Sequence, residues 1–557
     1  MSGTERYDVI VVGAGAGGMS AACTAAAEGL STLLIEKSAL AGGTTAVSGG
    51  MLWVPGNSKL DPMQRSRDLD DARCYLDRVL PPGRSEVLLD AYLRHAARAI
   101  DYLEARTAVA FKPVAFYPDY YPELPGAALG ARVLEPMPFD ARELGTHFQV
   151  LRPPLPEFTL FGGMMIDRAD IPHFRNALRS PSATWRVVRV LARYLRDRWS
   201  FPRGAHLVLG NALAARLLKS ALSLGVTLRL SSQNIGLIKR ADRICGVSVA
   251  GATEVTAERA VILATGGFSH DSVLRRELLP SQAGDLSATC AESSGDGLRL
   301  GLDAGGEIAA DNTNNAFWVP VSRFSRRDGA AAVFPHTVTD RGKPGVIAVD
   351  RHGKRFVNEA QSYHEFVQAM FRASAIPAWL VCDRVCLWKY GLGAVRPFTW
   401  KLAPMIRHGY LRTARTLREL ALALGIDADG LLQSVERYNA HAREGIDHDF
   451  GKGANAYHKY VGDPEHKPNP CMAPLDHPPF YAVALQPGDL GTVAGLRTNE
   501  HAQVLDSRGE PIAGLYACGN DMHSIMGGAY PGAGITLGPA ITFGWLAAMH
   551  IASAGAH

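Results

Sequence analysis

Residues Asp8-Val-Ile-Val-Val12 run straight into Gly13-Ala-Gly15-Ala-Gly17-Gly18, and few patterns leave a chain less freedom. The apolar run predicts a strand buried on both faces. The small-residue stretch Met19–Glu28 predicts a helix that follows it closely, and Ser31-Thr-Leu-Leu-Ile35 a second strand closed by Glu36. Strand, glycines, helix, strand and acid in this register form a dinucleotide-binding βαβ unit. Gly13 makes the tight turn, Gly15 admits the pyrophosphate to the backbone, and Gly18 lets helix and strand pack closely. Glu36 is placed to accept from ribose hydroxyls. An isolated GxGxxG would be weak evidence; the register carries the inference.

Which dinucleotide follows from the rest of the chain. The run Gly42–Gly50 brings Gly43, Thr44, Thr45, Ser48, Gly49 and Gly50 just after the acid and its neighbour Lys37, a second set of glycines and hydroxyls suited to a diphosphate and a flavin. Arg259–Gly267 is a strand ending in Ala264-Thr265-Gly266. Gly514–Asn520 is another, with Gly519 and Asn520 at its polar end, and Asp296 stands near the start of a further helix. No second GxGxxG follows a strand, which argues against a separate nicotinamide site. These returns resemble the FAD-binding family of fumarate reductase and succinate dehydrogenase flavoproteins over nearly the whole chain. The resemblance implies an α/β fold, a Rossmann-like FAD-binding domain with an inserted α+β catalytic domain, and FAD as cofactor. Residues 1–306 are then the FAD-binding domain, with a helical and irregular covering segment at about 61–205. Residues 307–480 form the catalytic domain, and 481–557 return to the cofactor.

Composition narrows the remaining classes. A chain of 557 residues exceeds one core, and 47% hydrophobic with 20% charged residues describes a globular protein. A net charge of +4 gives no footprint for nucleic acid. The eight cysteines show no paired spacing, so reduced thiols in a cytoplasm are expected, with no metal site. Tyr7 leads into the first strand with no room for a signal peptide, and no apolar run reaches the ~20 residues of a spanning helix. One stretch has two readings. Between Arg175 and Arg203 stand eight arginines and one acid, Asp197, interleaved with Trp185, Val188, Leu191, Tyr194, Leu195 and Trp199. It is either an arginine-rich outer face over a packed apolar one, or a basic amphipathic helix for peripheral contact with an anionic membrane.

The chemistry is concentrated near the end. Gly527–Gly538 is a glycine-rich turn opening a helix, so free N–H groups and a positive dipole end face whatever lies in front. Tyr530 stands at the mouth of that turn, and no arginine follows Arg508. In the fumarate reductase branch histidine and arginine clamp the substrate carboxylates, and an arginine of this region donates the proton. Without those cations a buried dicarboxylate would go unpaired, at several kcal/mol per ion, so a small diacid is an improbable substrate.

Tyr530-Pro-Gly-Ala-Gly534 resembles the motif of 3-ketosteroid Δ1-dehydrogenases of the same superfamily. Asp119–Gly126, Gly353–Tyr363, Gly445–Gly453 and Pro478–Ala482 resemble that family too, in family order. The resemblance implies that Tyr530 OH and Gly534 N–H hold a 3-keto oxygen, that Tyr363 takes the proton from C2, and that Tyr120 is hydrogen-bonded to it. Tyr117 and Tyr121 are close enough to be the partner instead. Gly534, Ile535 and Leu537 would also meet the flavin, and Phe317, Trp318 and Phe356 are either walls for a flat apolar ligand or, as such residues more often are, simply core. Electrons would pass to a quinone or another acceptor. The polar run Asp311–Asn315 and the size of Ile535 depart from the family pattern and leave ring preference open. A 4,5-dehydrogenase of 5α-3-ketosteroids and a reductase of enones or enoates are the alternatives.

Overall fold

The computed structural model describes residues 5–554, apart from 168–169, 178–179, 251–252 and 327. Its first strand, Glu5–Val12, runs between Thr32–Ile35 and Thr253–Leu263, parallel to both and in register with the latter from Val255 to Leu263. Thr227–Arg229 extends the sheet beyond Thr32–Ile35, and Pro511–Ala517 joins the end of Thr253–Leu263, again in parallel. Antiparallel strands Arg243–Val249 and Ile235–Arg240 continue from the proximal half of Thr253–Leu263. The parallel strands therefore all end on one edge, at Gly13, Glu36, Ala264 and Cys518, where open α/β sheets bind ligands. Gly13 turns there with φ 113°, and a Cβ on it would lie 2.2 Å from the Ala264 carbonyl oxygen, so no other residue fits.

The first helix spans Ala16–Ala27, starting directly after Gly15. Against it packs the C-terminal helix Leu537–Ser553. That helix is apolar all round because it is buried, with Ile541, Phe543, Ala547 and Ala548 among its most covered residues.

A second, antiparallel sheet carries the order Ala331–Pro335, Ala316–Ser325, Phe480–Thr492, Ala378–Asp383, Val346–Val349. Phe480–Thr492 stays in this sheet to its end, where Thr492 pairs with Ala316. Pro487 and Gly488 lie within this strand. They are tolerated inside the strand because pairing with Ala378–Asp383 ends at Leu485, and Pro487 stands opposite Pro320.

Helices Pro62–Val79, Glu86–Arg106 and Pro181–Ser200 occupy the covering segment, each with a side-chain N-cap, from Asp61, Ser85 and Ser180. Pro181–Ser200 turns Val190 and Tyr194 inward onto Met164. Trp185, Val188, Leu195 and Trp199 are exposed, Trp199 at 90%. Among the described residues no helix is long and apolar enough to cross a membrane.

Candidate active site

A cavity of about 1220 Å³ opens along the strand ends and continues into the gap between the two sheets. Gly13, Gly15, Gly17, Glu36, Lys37, Gly43, Thr44, Thr45, Ser48, Gly49, Gly50, Ala264, Thr265, Gly266, Asp296, Gly519, Asn520, Gly534 and Leu537 all border it. Gly18 and Ile535 do not: Gly18 is in the first turn of the helix, and Ile535, 1% exposed, belongs to the core.

The nucleotide end has the form a dinucleotide needs. A Cβ built on Gly15 would meet only Thr45 Oγ1, at 4.0 Å, and one on Gly49 nothing within 4 Å, so both backbones face open space. Glu36 accepts from the N–H groups of Ala14 and Ser38, each at 2.9 Å. Burial raises its carboxyl above the ordinary range, against those two donors. Lys37 and Asp296 face each other at 2.6 Å. Three residues that drew no attention in the sequence complete this end. Arg152 pairs with Glu292 at 2.7 Å. Asp521 takes the N–H groups of Thr265 and Gly267 and ties two strand ends together. Burial pushes its carboxyl up to about 6. Only its place just after Gly519-Asn520 could have marked it.

At the other end three phenols meet. Tyr120 Oη donates to Tyr363 Oη at 2.9 Å. The Tyr530 ring stacks on Tyr120, centroids 5.6 Å apart and 10° from parallel, and stands edge-on to Tyr363 at 5.0 Å. All three line the cavity. A fourth phenol, Tyr457, lies against Tyr120 at 4.6 Å and was not anticipated. Of the alternatives to Tyr120, Tyr117 also borders the cavity, whereas the Tyr121 hydroxyl is turned away onto Glu365 at 2.7 Å.

The elements that bring them together are distant in the chain. Tyr363 opens the helix Tyr363–Ala373, capped by Ser362. The carbonyl of Pro531 accepts from Tyr75 Oη at 2.6 Å and from the Tyr120 N–H at 3.0 Å, which joins the Tyr530 turn to the Tyr120 segment. Asp119 anchors that segment through Trp53 Nε1 at 2.8 Å and Arg132 Nη1 at 2.6 Å. Gly534 sits at φ 92°, where a Cβ would come within 2.6 Å of the Leu52 and Trp53 backbone. Its carbonyl accepts from Trp53 and Gly538, and no acceptor among the described residues takes its N–H.

Burial dominates the electrostatics here. Burial raises Tyr530 to about 12 and both Tyr363 and Tyr120 well above the ordinary phenol value. His364, 5.9 Å from Tyr530, accepts the Trp318 N–H on Nδ1, and burial drives its pKa down to about 3. The imidazole is therefore neutral, its proton on Nε2. Phe317, Trp318 and Phe356 are not walls of the cavity: Phe317 packs edge-on behind Tyr530 at 5.3 Å, Trp318 is fully buried, and Phe356 packs on Phe366. The walls are Pro154, Leu155, Phe158, Met165, Ile166, Val338 and Leu490. They come largely from the proline-rich covering segment, whose irregular sequence carries no periodic signal.

A family described as FAD binding domain matches residues 8–537. The chain belongs to it. Within this FAD-binding family it is 40% identical to the crystallised 3-ketosteroid Δ1-dehydrogenase of Sterolibacterium denitrificans, with a TM-score of 0.91, covering 99% of this chain and 100% of that one. It is 39% identical to 4-oxocyclohex-2-ene-1-carboxylate 5-dehydrogenase of Sinomonas cyclohexanicum, over 99% of this chain and 94% of the relative. It is 35% identical to 3-oxosteroid 1-dehydrogenase of Mycobacterium tuberculosis, over 98% of each. The protein is an FAD-dependent oxidoreductase with the fumarate-reductase-like flavoprotein fold, of the dehydrogenase type that these relatives represent. The glycine-lined channel and its acid fit the cofactor.

Proposed function

We propose that this enzyme desaturates the C1–C2 bond of 3-ketosteroids, with Tyr530 and Gly534 holding the 3-keto oxygen and Tyr363 receiving the C2 proton. The observation that carries the reading is the cluster itself: a neutral phenol and a free main-chain N–H border the same apolar cavity as a hydrogen-bonded pair of phenols. FAD, when bound, supplies the acceptor for the hydride leaving C1. Glu36 would hold the adenosine ribose, and Gly15, Thr44, Thr45 and Gly49 the diphosphate. The chain's own work is then proton and charge management. Tyr530 and Gly534 donate to the carbonyl oxygen as enolate charge develops, and a low-dielectric site strengthens both bonds. Tyr363 must reach the reaction as phenolate to bind the C2 proton, and Tyr120, 2.9 Å away, is the group that takes part in moving its proton. The C1–H bond breaks as hydride and the C2–H bond as proton, and the electron pair left on C2 becomes the second C1–C2 bond.

The substrate class follows from the walls. A cyclohexanone bearing a carboxylate needs a cation to pair it, and among the described residues the apolar half of the cavity has none. The cations bordering the cavity, Lys37, Arg152 and Arg299, stand at the nucleotide end and are paired with Asp296, Glu292 and Asp271. A fused apolar ring system matches Leu155, Phe158, Met165 and Ile166 instead.

The reading extends to a membrane surface and a quinone-type acceptor drawn from it. On helix Pro181–Ser200 the exposed Trp185, Val188, Leu195 and Trp199 share one face, flanked by Arg189 and Arg196. That arrangement is complementary to an anionic bilayer. Flotation with anionic and neutral vesicles tests it: retention by neither, or equal retention after Trp185, Leu195 and Trp199 are changed to Gln, removes the membrane from the account.

The decisive assay for the substrate is anaerobic mixing of the oxidised holoenzyme with 4-androstene-3,17-dione and, separately, with 4-oxocyclohexanecarboxylate. Flavin bleaching by the steroid alone, with a 1,4-diene product, is expected. Bleaching by the ring acid alone refutes the steroid reading, and a product unsaturated elsewhere refutes the regiochemistry.

A further inference from the structure

Behind the phenol cluster lies a buried cation that neither the motif nor the fold explains. Arg341 is 2% exposed, and each of its four side-chain hydrogen bonds ends on a main-chain carbonyl. Nε reaches His336 O at 2.7 Å, Nη2 reaches Thr337 O at 2.8 Å, and Nη1 reaches Glu359 O at 2.9 Å and Gln361 O at 3.1 Å. The first two carbonyls belong to the loop whose Thr337 borders the cavity, and the last two to the turn immediately before Ser362 and Tyr363. The guanidinium also lies over the Phe366 ring at 5.0 Å, one turn along the Tyr363 helix.

Nearby carboxylates are committed elsewhere. Asp340 closes on His336 Nδ1 at 2.6 Å, and Glu359 on Arg355 and Lys452 at 2.9 and 3.1 Å. The guanidinium is therefore held by main-chain carbonyls rather than by a carboxylate of its own.

We propose that Arg341 is a positioning residue for proton abstraction: it fixes the turn that presents Tyr363 and supplies the positive charge against which the phenolate forms. Burial lowers the guanidinium's own pKa, and Tyr457, Asp340, Tyr363 and Tyr120 oppose that effect. Arg341 is likewise the first influence that offsets the burial of Tyr457. The other titratable groups around Tyr363 are phenols, Tyr117, Tyr120 and Tyr530, and the neutral His364. An adjacent cation favours the charged form of a phenol. The inference rests on the reading of Tyr363 as the proton acceptor.

The test compares holoenzyme of wild type, Arg341→Lys and Arg341→Met by two measurements. One is ultraviolet phenolate titration without substrate; the other is the pH dependence of kcat/KM with 4-androstene-3,17-dione. The Met variant should raise the Tyr363 phenolate midpoint, taken by difference against Tyr363→Phe in the same background, by about one unit or more and lower kcat/KM near neutrality at least about tenfold. The Lys variant, which keeps charge but loses donors, should keep the midpoint. Equal shifts in both variants, or none in either, overturn the proposal, as does failure of both to fold, which would make Arg341 a staple only. Should only Lys fold, a raised midpoint overturns it and an unchanged one sustains it. If the steroid is not turned over, the substrate reading fails while the titration still reports on Arg341.

Discussion

Replacing Tyr530 by Phe isolates one hydroxyl. The ring contacts do not involve the oxygen: stacking on Tyr120 at 5.6 Å and the edge contacts with Phe317 at 5.3 Å and Tyr363 at 5.0 Å persist. The fold and FAD binding should therefore be unchanged. Burial raises this phenol from 10.0 to about 12, so ionising it costs roughly 2.7 kcal/mol more than in water, and it remains a donor across the working range. Losing one donor to a developing oxyanion removes about 3–4 kcal/mol, or about 10²–10³ in rate. Anaerobic stopped-flow reduction of the bound flavin by 4-androstene-3,17-dione reads that step directly. Reduction within about threefold of wild type would show that no enolate charge rests on Tyr530. A raised KM with unchanged kcat would equally refute the reasoning, because it assigns the hydroxyl to ground-state binding.

Four further outcomes are expected. Tyr363 and Tyr120 lie well above the ordinary phenol value, so the reactive phenolate is the minor form near neutrality, and kcat/KM should climb about tenfold per pH unit into the alkaline range; a flat profile contradicts a tyrosine base. Gly15→Val places a side chain where the built Cβ meets only Thr45 Oγ1 at 4.0 Å, so the protein should fold and purify without flavin absorbance, and a yellow variant would show that the pyrophosphate lies elsewhere. Arg355 holds Glu359 and Asp447 at 2.9 and 3.0 Å; Arg355→Met should cost about 3–5 kcal/mol, read as a lowered thermal midpoint. Asp447 is depressed to about 2, so its contribution is present above the unfolded carboxyl value of about 3.9 and lost as pH falls through about 2. Acid denaturation of wild type that is complete above that window would exclude this pair as its cause.

The amino-acid sequence by itself determined the βαβ unit and the acid that closes it, because each depends on neighbours within a few turns or strands; the cofactor class and the short list of phenols came from motifs spread along the chain and their resemblance to known families. Gly13, Glu36 and Tyr530 are legible on that scale. What only the tertiary structure decided is convergence. Tyr120 and Tyr363, 243 residues apart, share a hydrogen bond, and Tyr121 turns to Glu365 because its neighbour's backbone is held by Pro531. Phe317 and Trp318 pack behind the cavity, while the proline-rich segment supplies Leu155 and Phe158 as its wall. Arg341 shows no pattern at all until the carbonyls of two separate loops close around it. Periodicity encodes which face of an element is buried; which faces then meet is set by packing of the whole chain, and no local pattern records it.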